Sequence, residues 1–245
     1  MPLTAPGYLR LLMRGLLAGL IAGLLAGAFA YLIGEPHINA AIAIEEATTP
    51  ATGEQPLVSR DVQSGPGLLL ATGLYGVALG GILATAYTIL RRHLHTGSDT
   101  TAALGLTAAA LTGIVLVPYL KYPPNPPAVG DPATINQRTA AYLAALTLGL
   151  VAVWAAVLAA RTQTHPWARA TAATGAFLTV VTIAHTLLPT FDEVPADFPA
   201  TLLWNFRISS LGTQTTLWLT LGLAFAGLLA HLNRHTHTPQ PATTG

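Results

Sequence analysis

GLLAGLIAGLLAGAFAYLIGEPHINAAIAIEE, residues 15–46, decides the fold. From Gly15 to Ile33 it carries no charged residue. A helix of that length reaches about 28 Å, close to the thickness of one bilayer hydrocarbon core. Gly15, Gly19, Gly23 and Gly27 recur at every fourth position, so they fall near one helical face. These are overlapping GxxxG steps, a surface on which a second helix packs backbone to backbone. The run then meets Gly34-Glu35-Pro36-His37. A proline there is expected to stop or kink the helix beside a carboxylate and an imidazole.

The rest of the chain has the same character. Hydrophobic residues are 52% of it and charged residues 9%, against about 25% charged in soluble domains. The fold class expected is all-α: a polytopic helical membrane protein with about six transmembrane helices in a lipid bilayer. The expected spans are residues 11–33, 66–90, 101–120, 135–160, 167–188 and 210–232. They form a single bundle over 1–232, and a disordered cytoplasmic tail follows over 233–245. Ala28-Phe29-Ala30 has the form of a signal-peptidase site, and cleavage there would leave five spans. The apolar run is long for a signal peptide and continues past that site. Gly76 and Gly80 give the second span a GxxxG step of its own. Pro66 suits its first turn. His37 to Glu46 reads as a short interfacial helix, and so does Leu202 to Arg207, where Trp204 and Phe206 suit the headgroup level.

Charge excludes several functions and orients the chain. A net charge of +1 with no basic tract argues against nucleic-acid binding. The absence of cysteine removes disulfides, thiolate nucleophiles and iron–sulfur clusters. No Walker A, GxSxG or HExxH pattern occurs, so the chain is not expected to be an enzyme. With the N-terminus in the cytoplasm and six spans, seven basic residues lie inside and four outside, which satisfies the positive-inside rule. Both termini are then cytoplasmic. Nine of the ten acidic residues lie outside, making that face attractive to cations.

Candidate metal ligands follow from residue type and place. Glu35, His37, Glu45 and Glu46 offer imidazole and carboxylate, which suit cobalt, nickel and zinc. The competing reading is a set of solvated residues just beyond a span. His185 lies within an apolar helix, where ionisable groups are uncommon; it is either functional or hydrogen-bonded to a neighbouring carbonyl. Asp192, Glu193 and Asp197 follow in a proline-bounded loop. Lys121 and Asp131 flank Tyr122 to Pro132, a proline-rich segment expected to be stiff. They can pair with each other or with Arg138 and Glu193 and so staple the loops. His93-Leu94-His95 and His235-Thr236-His237 lie on the inner side, as solvated tails or as a weak metal hand-off. Convergence of Glu35, His37, His185 and Asp192 would favour transport or catalysis by a membrane enzyme, and dispersal a scaffold.

Four stretches carry a resemblance. They are GEPHINAAIAIEE (34–46), LYGVALGG (74–81), YLKYPPNPPAVGDP with NQRTAAYL (119–132 and 136–143), and DEVPADFPATLLWNFRISSLGTQ (192–214). In that order they resemble the CbtA family, cobalt-transporter subunits of bacteria. The resemblance implies an integral subunit of the cytoplasmic membrane that takes up Co²⁺, with no permanently bound cofactor. It also implies a CbtB-type partner, a small single-span protein with a histidine-rich end. It brings no residue-level mechanism, so the ligands named above rest on their own chemistry.

Overall fold

The computed structural model describes residues 5–48, 58–94 and 97–236. Among them there is no strand. Among the described residues, six helices are long and apolar enough to cross a membrane: Gly7–Ala47, Arg60–His93, Asp99–Lys121, Pro132–Arg161, Pro166–Leu187 and Ala200–His231. The first contains 41 residues, about 60 Å of helix, so it outruns any hydrocarbon core. Many large apolar side chains are exposed, among them Leu24, Leu74, Ile82 and Leu223, as expected where lipid rather than protein covers the surface.

The helices are built from shorter regular pieces. Helix α1 (Ala5–Phe29) passes through a π-turn, Ala30–Gly34, into α2 (Glu35–Thr48). Helix α3 (Arg60–Val62) passes through a π-turn, Gln63–Gly67, into α4 (Leu68–Leu90). Helix α5 (Asp99–Ala110) passes through a π-turn, Leu111–Leu116, into α6 (Val117–Lys121). Helices α7 (Ile135–Arg161), α8 (Pro166–Leu187) and α9 (Ala200–Thr236) are unbroken.

Several expectations are corrected here. The helix does not break at Pro36; it widens. The Glu35 N–H reaches back five residues to the Ala30 carbonyl, so the turn before the proline gains a residue. A proline ring clashes with the carbonyl four residues earlier and brings no N–H, and a wider turn relieves the clash without ending the helix. Pro118 follows the same rule, with the Val117 N–H reaching Thr112. Pro66 sits within its π-turn rather than in a first helical turn. Hence His37–Glu46 is the continuation of the first helix rather than a separate interfacial one. Likewise 202–207 is the start of α9, which runs on without a break to Thr236. Nothing in its sequence between 207 and 210 stops a helix. Residues 233–236, expected in the tail, are therefore helical, while 237–245 lie outside the described residues.

The chain contacts gather into two compact units. The first comprises Met1–Ala28, Arg60–Ala108 and Thr216–Gly245. Its centre is the glycine seam between α1 and α4. A Cβ at Gly15 or Gly19 would collide with the carbonyl of Gly80 or Gly76, and the reverse substitutions would collide as well. Gly23 meets Thr72 and Gly73 in the same way. Both backbones thus touch along the face that the glycine spacing marked. Ala18, Ala22 and Ala26 are fully buried on the adjoining row of α1. Elsewhere in this unit the Tyr87 and Phe225 rings meet edge to face at 5.6 Å, and the Arg14 guanidinium donates to the Leu228 carbonyl at 2.7 Å. Asp99 pairs with Arg91, which also donates to the Tyr87 hydroxyl.

The second unit comprises Phe29–Ser59 and Ala109–Thr215. Helices α7 and α8 form a hairpin across a short turn, with Pro166 in the first turn of α8. Gly113 and Gly149 make a second backbone-to-backbone contact, between the Leu111–Leu116 π-turn and α7. Single glycines carry no repeat, so no spacing in the sequence pointed to this pair. The Phe29 ring rests on Gly212 of α9, where a Cβ would displace it.

Candidate metal site

All eight proposed ligands fall in the second unit. Glu35 opens α2 immediately after the π-turn and is 7% exposed. It is the one buried carboxylate among the described residues. His37, two positions on, is half-buried, whereas Glu45 and Glu46 near the end of α2 are exposed. Burial therefore separates the four: Glu35 is enclosed at the widened turn, His37 is partly exposed, and the other two are exposed.

His185 is half-buried in the last turn of α8. Its Nε2 lies 3.2 Å from the Val117 carbonyl, and its own carbonyl accepts from Lys121 Nζ at 3.0 Å. The imidazole is thus tied to α6 by a carbonyl, the alternative raised from the sequence. Lys121 also reaches the Thr190 hydroxyl at 3.3 Å. Tyr122 donates to the Pro189 carbonyl at 2.7 Å and packs its ring near Phe191.

Asp131 and Glu193 are joined through the backbone. The Glu193 Oε2 accepts from the Asp131 N–H at 2.9 Å and lies 3.3 Å from Arg138 Nη1. Its Oε1 accepts from the Thr134 hydroxyl. That hydroxyl, then the Asp131 N–H, then the Arg138 charge hold the Glu193 carboxyl below its ordinary range; burial works the other way. The Asp131 side chain caps the 3₁₀ turn Pro132–Thr134 by accepting from the Ala133 N–H at 2.8 Å. Gly130 has φ +130° and lies under the Arg138 guanidinium, where a Cβ would strike it. The positive φ favours glycine there, while the arginine end could shift aside. Arg207 of α9 donates to the Asn125 amide oxygen at 2.8 Å. The proline loop is therefore fastened at Lys121, Tyr122, Asn125 and Asp131. Thr134, Asn125 and Arg207 were not singled out beforehand, because their partners are 59 to 82 residues away in the chain.

Asp192 and Asp197 are exposed in the loop between α8 and α9. Among the described residues, no three of His, Asp and Glu gather closely enough to hold a metal ion together. His95 and His237 lie outside the described residues, so neither histidine pair is placed as a pair. Among the described residues the arrangement supplies separate oxygen and imidazole groups rather than one closed site.

Residues 8–230 match the family model described as probable cobalt transporter subunit (CbtA). No curated protein and no solved structure matches the chain. With six helices of membrane-crossing length and a family match over nearly its whole extent, the chain is a multi-pass membrane protein that belongs to the CbtA family of cobalt transporter subunits.

Proposed function

We propose that this subunit forms the route by which Co²⁺ enters a bacterial cell across the cytoplasmic membrane, with both termini inside. The observation that carries the reading is Glu35: a carboxylate buried at the widened turn of a membrane helix, with His37 two positions further along the same helix. Ionisable groups within membrane helices are uncommon and often functional, and broken or distorted membrane helices are where transporters hold ions. Asp192 and Asp197 raise the local cation concentration at the outer face. Glu35 and His37 then exchange with water on the ion, with His185, Glu45 and Glu46 as further transient contacts. Transport needs binding strong enough to admit the ion and weak enough to release it, which imidazole and carboxylate provide better than thiolate would. The energy source is proposed to be secondary or channel-like. A CbtB-type single-span subunit supplies the histidine-rich metal capture that this chain lacks. We assign the chain no catalytic activity.

A second reading, an accessory scaffold with no route of its own, is favoured by one observation. Asp131 and Glu193 are engaged in fastening loops, and no three ligands gather among the described residues.

Cellular cobalt, nickel and zinc content decides between the two. It is measured with and without this chain in cells lacking other cobalt importers, the partner being supplied. Cobalt should rise only when the chain is present. The Glu35→Gln, His37→Ala double variant should lower that rise several-fold at equal membrane abundance. No rise in any metal, with the protein and partner in the membrane, selects the scaffold.

A further inference from the structure

Two arginines at the start of α1 serve neither the glycine seam nor the candidate ligands. Arg10 is exposed, and no hydrogen bond or ion pair ties it to another described residue. Arg14, one turn later, is half-buried and gives one N–H to the Leu228 carbonyl of α9. A guanidinium has five such donors, so most of this one's are left over. Four residues apart on a helix, the two side chains share a face, and like charges at that spacing repel. No carboxylate of the first unit relieves them. Its described residues contain two, Asp61 and Asp99. Asp99 is held by Arg91. Asp61 lies about 35 Å of helix before Thr85, whose hydroxyl is 3.0 Å from that of Tyr8 at the start of α1.

The level and the face of these arginines say what fits there. The uncharged run begins at Gly15, so Arg14 stands at the edge of the hydrocarbon and Arg10 about 6 Å further out, among the lipid headgroups. At 100° per residue, Leu17, Ile21 and Leu24 fall within about 40° of Arg10, and Gly19 of the seam falls opposite it. These three apolar side chains are 47%, 40% and 43% exposed. One face of α1 therefore carries unneutralised positive charge at the headgroup level and an open apolar surface directly beneath. We propose that this face binds an anionic phospholipid, with Arg10 and Arg14 on the headgroup phosphate and the acyl chains along Leu17, Ile21 and Leu24. A phosphate diester brings one negative charge and two free oxygens, each an acceptor for a guanidinium N–H. Set between the two arginines, it replaces a repulsion by two attractions. A zwitterionic lipid carries an ammonium group that offsets this charge, so the anionic one is preferred. Free phosphate matches the arginines but leaves the apolar surface unused. The site does not depend on the uptake reading above.

The full chain, purified in detergent, is offered phosphatidylglycerol, phosphatidylcholine or inorganic phosphate, and the bound lipid is read by mass spectrometry of the intact complex. The wild type should retain phosphatidylglycerol at least ~5-fold better than phosphatidylcholine, the factor expected when one arginine near an anionic headgroup is used. Arg10→Gln should bring the two lipids level, and Arg10→Lys, which keeps the charge, should keep most of the preference. Arg10 has no protein partner among the described residues, so its loss spares the fold, whereas Arg14→Gln would also remove the bond to Leu228. Arg169→Gln, at an exposed position of α8 in the second unit, should leave the preference as it is. No preference in the wild type, or an unchanged one in Arg10→Gln, overturns the site. An equal fall in Arg169→Gln means a general attraction to basic residues and overturns it as well. Displacement of phosphatidylglycerol by inorganic phosphate would make the occupant a free anion and overturn the lipid.

Discussion

The glycine seam of the first unit and the fastened loops of the second solve the same problem with opposite means. Along α1 and α4 the two backbones touch at Gly15, Gly19, Gly76 and Gly80, with no charged group involved. Around the proline loop, hydrogen bonds and one ion pair tie Lys121, Tyr122, Asp131, Thr134 and Arg138 to Pro189, Thr190 and Glu193. Within lipid there is no hydrophobic drive to bring helices together, so close backbone approach supplies the contact. At the loop-bearing end, water competes for every polar group, so several modest bonds act together. The seam should therefore fail abruptly under a single substitution, and the loops gradually.

Four substitutions test that contrast, from the largest effect to the smallest. Gly19→Leu places a side chain inside the Gly76 carbonyl, with only backbone to yield. We expect loss of at least ~3 kcal/mol and little folded protein in detergent-solubilised membranes. Gly175→Ala is the matched control: nothing lies within 4 Å of its Cβ, so it should be neutral or stabilising by up to ~1 kcal/mol. A Gly19→Leu protein with a native melting temperature would show that the seam does not hold the unit. Asp131→Ala removes the cap on the turn leading into α7 and should cost about 1 kcal/mol, read as a lower melting temperature. Tyr122→Phe deletes one hydrogen bond to Pro189 and should cost about 0.5–1.5 kcal/mol, with faster proteolysis of the loop after α8.

The smallest effect concerns pH. The folded-state carboxyl of Glu193 is held below its unfolded value. Its contribution is therefore present above the ordinary carboxylate range and is lost as pH falls through the lowered folded value. Wild-type loop protection against protease should weaken with acid in that window. Glu193→Gln should show weaker protection at neutral pH and no further change from this group on acidification. An identical acid profile in both proteins would remove Glu193 from the fastening.

How much of this was legible beforehand varied with the kind of interaction. The glycine face was readable because helix–helix contact in lipid depends on residue size at fixed spacing, and spacing is a property of the sequence. The expected second and fourth spans, 66–90 and 135–160, end within a residue of α4 and α7. Apolar length and flanking arginines mark those ends. The start of the second helix lies earlier, at Arg60, because the helix tolerates Pro66 by widening around it. The candidate ligands could be named by type, but not their employment. Glu193, Asp192 and Asp197 are neighbours of one kind in the sequence. Glu193 alone comes within reach of Thr134 and Arg138, and so it is the one engaged in fastening.

The sequence by itself determined that this chain lies in a membrane, that it is helical, which face of α1 meets another helix, and which family it belongs to. The first three are set by composition and periodicity, and the family by specific stretches such as the proline loop; none needs any knowledge of contacts. Only the tertiary structure decided that Pro36 and Pro118 are absorbed by π-turns rather than breaking their helices. Only it decided that Glu35 is enclosed while Glu45 and Glu46 are not, and that Gln214 is left with a buried oxygen to satisfy. These depend on which distant segments fill the space around a residue, and a residue's own neighbours in the chain do not fix that.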